Sequence, residues 1–223
     1  MTDVLRGVKD LFAQQWGGDG IRVLDFDIEN RPLSYLGGDF TTGEVTAIGW
    51  QFIGEPRTAE AVLLGVTCQH GSCRLVHYGD SLEDLLAKFI EVYDQADMVT
   101  GHYIRGHDLP VLNGALLEMG RAPLGDKLTH DTKLDLVHRR YISASQENLA
   151  EMLHTKAGKV HMNTPRWREA NRLTPAGLEI TRKRVIGDVR QHIELRQRLL
   201  EMGALRPPRM WTGRGAASLR YTP

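Results

Sequence analysis

Asp27 and Glu29 flank Ile28 at the end of an apolar run, Val23-Leu24-Asp25-Phe26-Asp27-Ile28. Side chains alternate between the faces of a strand, so these two acids share one side, a single pleat apart. Carboxylates that close repel each other unless a cation lies between them. Hard oxygen donors at this spacing suit Mg²⁺ or Mn²⁺. The plain alternative is an edge strand with solvated acids. Against it, Val23, Leu24, Phe26 and Ile28 have the composition of a buried strand. Asp-x-Glu alone is a weak motif, and a metal site needs further acids downstream.

Two candidates follow. Asp108 opens a helical stretch after Gly101-His102-Tyr103-Ile104-Arg105-Gly106-His107, where the two glycines let backbone come close to a ligand. Its other natural role is to cap that helix. Asp188 lies in the last long helix beside Gly187, a residue that costs a helix interior about 1 kcal/mol. A glycine there implies that something must approach closely. Ile186, Val189, Ile193 and Leu200 turn one side of this helix to the core. A surface acid paired with Arg184, one turn earlier, is the competing reading of Asp188.

The elements that must position these acids are legible in outline. Strands are expected near 21–28, 45–53, 61–67 and 74–78. Ser81 caps a helix whose Leu82, Leu85, Leu86, Phe89, Ile90 and Tyr93 repeat at helical spacing, a core stripe. A strand near 97–100 precedes a helix from Asp108 to just before Gly120, and a strand near 128–131 follows. The last helix runs from about Pro175 to Met202. Residues 1–20 read as an N-terminal appendage, 21–205 as one domain, and 206–223 as a tail rich in Pro, Gly and Arg. Strands first, then helices alternating with strands, indicate an α/β mixed sheet with helices on both faces.

The bulk composition narrows the partners. Lys plus Arg equals Asp plus Glu at 28 each, which argues against a protein that coats nucleic acid by charge alone. A local basic groove from Lys156, Lys159, Arg166, Arg168, Arg172 and Lys183 is still open, as is a merely solvated surface. No apolar run reaches the ~20 residues of a membrane span, and the first residues lack a signal-peptide pattern, so a cytoplasmic location is expected. Cys68 and Cys73, with His70 and His77, have a spacing unlike the usual paired zinc ligands; a hairpin turning at Gly71-Ser72 is the ordinary alternative.

Taken together, the motifs resemble those of the DEDD 3′–5′ exonucleases of the ribonuclease H-like (DnaQ-like) superfamily, above all the exonuclease domains related to family B DNA polymerases. Phe26-Asp27-Ile28-Glu29-Asn30 matches the first motif, and Gly101 to Leu112 the second, with His107 where an aromatic is common. Gly187-Asp188-Val189-Arg190-Gln191 matches the third, and Thr129-His130-Asp131-Thr132 is similar to the intervening strand. The resemblance implies a ribonuclease H-like fold and two Mg²⁺ or Mn²⁺ ions held by Asp27, Glu29, Asp108 and Asp188. It implies release of nucleoside monophosphates from single-stranded or 3′-ended nucleic acid, DNA ahead of RNA. Asn30, Tyr103, Arg105, Trp167 and Arg184 would contact that substrate; stacking is open to Phe26, Tyr103 and Trp167, with packing as the alternative for Phe26 and Trp167.

One departure stands out. The family carries a Tyr four residues before the last Asp, or a His five before it, to orient or deprotonate the water. Arg184 and Lys183 occupy those positions, and neither is a base at neutral pH. Three consequences are open: metal acts without a protein base, His192 or His161 substitutes, or the chain is a catalytically weak or inactive nucleic-acid-binding module of the same fold.

Overall fold

The computed structural model describes residues 21–32, 43–55, 59–64, 82–137 and 141–213. The expected appendage over 1–20, the Cys68, His70, Cys73 and His77 group with its hairpin, and the Ser81 cap lie outside them.

Strands β1 (Val23–Pro32), β2 (Gly43–Phe52), β3 (Glu60–Leu63), β4 (Met98–Gly101), β5 (Lys127–Asp131) and β6 (Arg209–Trp211) form one sheet in the order β3-β2-β1-β4-β5-β6. β1 pairs antiparallel with β2 and parallel with β4; β5 is parallel to β4 and antiparallel to β6. The helices are α1 (Leu82–Asp94), α2 (Asp108–Glu118), α3 (Gln146–Met152), α4 (Thr164–Asn171) and α5 (Pro175–Glu201). Residues 209–211 correct the expectation of a tail from 206. They complete the sheet edge, and Arg209 also reaches the buried Asp135 at 2.9 Å.

Alternation along β1 sorts its side chains as expected. Leu24, Phe26 and Ile28 enter the main core with Ile48 and Trp50 of β2. Phe89 and Tyr93 of α1 and Leu109, Leu112 and Leu116 of α2 close that face; the Phe26 and Phe89 rings lie 5.0 Å apart. The expected apolar stripe of α1 is therefore core. Asp25, Asp27 and Glu29 project to the opposite face, toward α5.

α5 starts where Thr174 accepts a hydrogen bond from the Gly177 N–H and Pro175 occupies the first turn. It packs Val185, Ile186 and Val189 against Ala47, Ala61 and Leu63. The sheet residues beneath it are small, and the helix comes close. A Cβ added at Gly49 would lie 3.0 Å from Val185 Cγ2 and 3.2 Å from its carbonyl oxygen. A register shift between Glu29 and Asn30 interrupts β1–β2 pairing just beyond the acids, where Thr46 donates to the Glu29 carbonyl at 3.1 Å.

At the end of β4, a Cβ on Gly101 would lie 2.7 Å from the Phe26 carbonyl oxygen and would also strike Ile104. Backbone oxygen cannot yield as a side-chain tip can. Gly101→Ala is expected to destabilise the fold by about 1–3 kcal/mol, lowering the melting midpoint by several degrees. Thermal unfolding of the two proteins checks it.

Candidate metal centre

Every fourth residue of α5 meets every second residue of β1. Arg184 lies over Glu29, with its Nε 3.3 Å from Glu29 Oε1. Asp188 and Asp27 face each other: with Glu29, each offers a carboxylate oxygen, and the three oxygens lie within 4.8 Å of one another. His192 Nδ1 lies 2.6 Å from Asp25 Oδ2. The first of these rungs is an ion pair, and the last is a hydrogen bond between a ring nitrogen and a carboxylate. The middle one sets acid against acid.

The neighbours of the middle rung are cationic. Arg184 Nε also lies 2.7 Å from Asp188 Oδ2, and Arg184 Nη1 donates to the Val160 carbonyl. Lys159 Nζ lies 3.3 Å from Asp188 Oδ1, a buried oxygen with no hydrogen bond. Among the described residues no hydrogen bond or ion pair reaches the Asp27 carboxylate. Asp108 lines the same cleft, an opening of about 300 Å³, but its Oδ1 accepts from the Ile28 N–H at 3.1 Å. This corrects the capping alternative: His107 is the cap residue of α2, and it makes no side-chain cap bond. Asp108 instead joins the start of α2 to β1.

Burial governs the protonation of these acids. It raises Asp27 well above the usual carboxylate range, helped by the charges of Asp188, Asp108 and Glu29. It lifts Glu29 to about 7 against the pull of Arg184, and Asp108 to about 7 against the Ile28 N–H. Asp188 is also raised by burial, with Arg184 and Lys159 opposing. The donor chemistry fits a hard divalent cation: three oxygens converge, one buried oxygen has no hydrogen bond, and like charges require an opposite charge among them.

The other expected site residues divide. Tyr103 is 36% exposed and lines the cleft, at a φ of 71° that is uncommon for Tyr. Asp131 holds that turn, accepting from the N–H groups of Tyr103 and Arg105 at 3.1 and 3.0 Å. Lys133 lies 3.9 Å from the centre of the Tyr103 ring. Asn30 is turned to His107, 3.1 Å from its Nε2. Arg105 is no free nucleic-acid contact, since its guanidinium pairs with Asp135 at 2.6 Å. Trp167 lies on α4, and His161 sits 3.8 Å from Glu147; neither lines the cleft. Phe26 is core.

His192 requires a correction. It shares a face with Asp188 but lies one rung further along, 2% exposed and outside the cleft lining. Its Nε2 is 2.8 Å from Thr132 Oγ1, which is 2.9 Å from His102 Nδ1. Asp25, His192, Thr132 and His102 thus form one buried chain that braces the cleft wall. Burial holds the His102 ring down to about 3, so it is neutral there. Sequence reasoning missed Asp25, and it offered Lys159 as a groove residue without its pairing to Asp188. The parity of Asp25 with Asp27 was a usable signal for the first. For the second, Gly187 was half a signal: what comes close is the Lys159 backbone, whose Cα would lie 3.2 Å from an added Cβ.

Among solved structures, the chain is similar to the family B DNA polymerase from the hyperthermophilic archaeon Pyrobaculum calidifontis, at a TM-score of 0.55 and 16% identity. The likeness covers 81% of this chain and 25% of that one. No protein-family model matches the chain. No curated protein matches it in sequence. The likeness speaks for the fold: α/β, ribonuclease H-like, a mixed sheet with helices on both faces. No helix among the described residues is long and apolar enough to cross a membrane.

The raised Asp108 gives a prediction with a definite sign. Its folded-state value of about 7 exceeds the unfolded 3.8, so between those values the folded state holds more proton. Its contribution to stability therefore falls as pH rises through that window, by up to about 1.4 kcal/mol per pH unit. Asp108→Asn does not titrate and can still accept from Ile28. Its stability relative to the wild type should grow from pH 4 to 7 and level off above, as read by denaturant unfolding.

Proposed function

We propose that this chain is a divalent-metal-dependent 3′–5′ exonuclease that removes nucleoside monophosphates from nucleic acid, DNA ahead of RNA. The observation that carries the reading is the middle rung, where Asp27 and Asp188 face each other with Glu29 beside them and, among the described residues, no hydrogen bond or ion pair reaches Asp27. The fold shared with a family B DNA polymerase and the order of the motifs support it.

Asp27, Glu29 and Asp188, with Asp108 on the same wall, would hold Mg²⁺ or Mn²⁺. Such an ion supplies a water of lowered pKa and offsets charge at a phosphodiester. The chain's own groups do the rest. Tyr103 offers an exposed ring to a terminal base. Lys133 over that ring brings positive charge to the cleft mouth. Asp131 fixes the turn that carries Tyr103. Among the residues lining the cleft, Arg184 and Lys159 are ion-paired, and Arg184 stands where the family pattern has its water-orienting Tyr, so the usual base is missing from its place.

That last point supports a second reading, a catalytically weak or inactive nucleic-acid-binding module. One assay separates the two. A 5′-labelled single-stranded oligonucleotide should shorten one nucleotide at a time with Mn²⁺ and stay intact with EDTA, and Asp27→Asn should slow it at least 100-fold. Internal cuts would point to an endonuclease of the ribonuclease H kind. No chelator-sensitive shortening, with Asp27→Asn equal to wild type, overturns the enzyme reading. Tyr103→Leu should weaken oligonucleotide binding by about 1–3 kcal/mol in fluorescence anisotropy at fixed salt.

A further inference from the structure

The cleft carries an unequal balance of charge. Asp27, Glu29, Asp108 and Asp188 line it, and two of these are already answered by protein cations. Arg184 spans Glu29 and Asp188, at 3.3 and 2.7 Å, and Lys159 meets Asp188 at 3.3 Å from the other side. With all four ionised, as a bound cation requires, the carboxylates exceed this guanidinium and ammonium by two negative charges, the charge of one divalent ion. Lys133, a third cation on the wall, sits on the Tyr103 ring and makes no ion pair with these acids among the described residues. Geometry agrees with the charge. Of the three rungs between β1 and α5, the Asp27–Asp188 rung sets acid against acid, and among the described residues no hydrogen bond or ion pair reaches Asp27.

We infer that, in the absence of nucleic acid, this site takes one divalent cation rather than two, with Arg184 and Lys159 occupying the charge position that a second ion would fill. The inference rests on the proposed metal site and specifies its cation complement. Guanidinium is a good occupant for such a position. It stays charged, and its planar fork can engage two carboxylates at once. Here it does so while a third bond, to the Val160 carbonyl, holds it in place. Lys159 is similarly held, with its side chain 12% exposed. A second dication would have to displace both groups or share its oxygens with them at like-charge distance. Removing these cations should therefore change both how tightly the first ion binds and how many ions bind.

The test is a Mn²⁺ titration of the full chain without nucleic acid, near pH 7.5, read by electron paramagnetic resonance of free Mn²⁺ and by calorimetry. Wild type should bind one ion. The double variant Lys159→Gln, Arg184→Gln should bind two, the first at least tenfold more tightly, equivalent to about 1.4 kcal/mol. If the double variant does not fold, Lys159→Gln decides. Lys159 lies outside the helices, and its loss alone should tighten the first ion at least tenfold. Two ions on wild type overturn the inference while leaving the nuclease reading intact. So does a folded double variant that still takes one ion, or a Lys159→Gln affinity within threefold of wild type. Wild type that binds no Mn²⁺ and shows no chelator-sensitive cutting overturns the nuclease reading itself, and this inference with it.

Discussion

The candidate site depends on a near match between two repeats. Two residues along a strand advance about 6.6 Å, and four along a helix advance about 6.0 Å. A helix lying close along a strand can therefore face it rung by rung for a short distance before the two drift apart. β1 and α5 do this over three rungs, running in opposite senses: Glu29 with Arg184, Asp27 with Asp188, Asp25 with His192. The match is useful only if the helix comes close. Ala47, Gly49 and Ala61 allow that, because larger side chains on that face of the sheet would hold Val185 and the rest of α5 away.

Closeness has an electrostatic cost. Unit charges 4 Å apart interact by about 4 kcal/mol at the effective dielectric of a protein surface, and burial makes the charged forms dearer still. β1 brings three acids under the helix, and the helix adds a fourth. The outer rungs answer this with the Arg184 guanidinium and with a hydrogen bond between Asp25 and the His192 ring, the latter continued through Thr132 to His102. The middle rung cannot, since both of its members are acids. Burial first, and like charge after it, raise Asp27 and Glu29, and burial raises Asp188 against the pull of Arg184 and Lys159. What marks this cleft as a candidate site is thus Asp27, which no hydrogen bond or ion pair reaches among the described residues, inside an otherwise well-paired interface.

Much of this was legible in the sequence because strand alternation and motif order are local or additive signals. The acid pair on β1, the apolar stripe of α1 and the extent of α5 follow from periodicity alone. The misses have physical causes. His192 was placed on the right face of α5, but a helix turn moves it a full rung along β1, and depth along a groove is invisible to helical periodicity. Asp25 read as part of an apolar run because its partner is 167 residues away. β6 is three residues long and sits among prolines and arginines; its pairing with β5 is tertiary, with no alternation to betray it. The tie from Asp108 to the Ile28 N–H spans 80 residues, so local sequence offers a cap and the fold supplies a strand.

Position 184 links two questions that otherwise look separate. The family pattern places a water-orienting Tyr there, and this chain places a guanidinium that reaches both Glu29 and Asp188. A single residue therefore stands in place of the expected Tyr and adds a positive charge among the oxygens proposed to bind metal. These effects share the same partners, so they cannot be additive. Replacing Arg184 with Tyr would restore a hydroxyl near the water position, but it would also leave Glu29 without its ion pair and Asp188 with Lys159 alone. The missing Tyr and the proposed cation count are in this geometry two consequences of one side chain, set by where the fourth-residue repeat of α5 falls on the acidic face of β1.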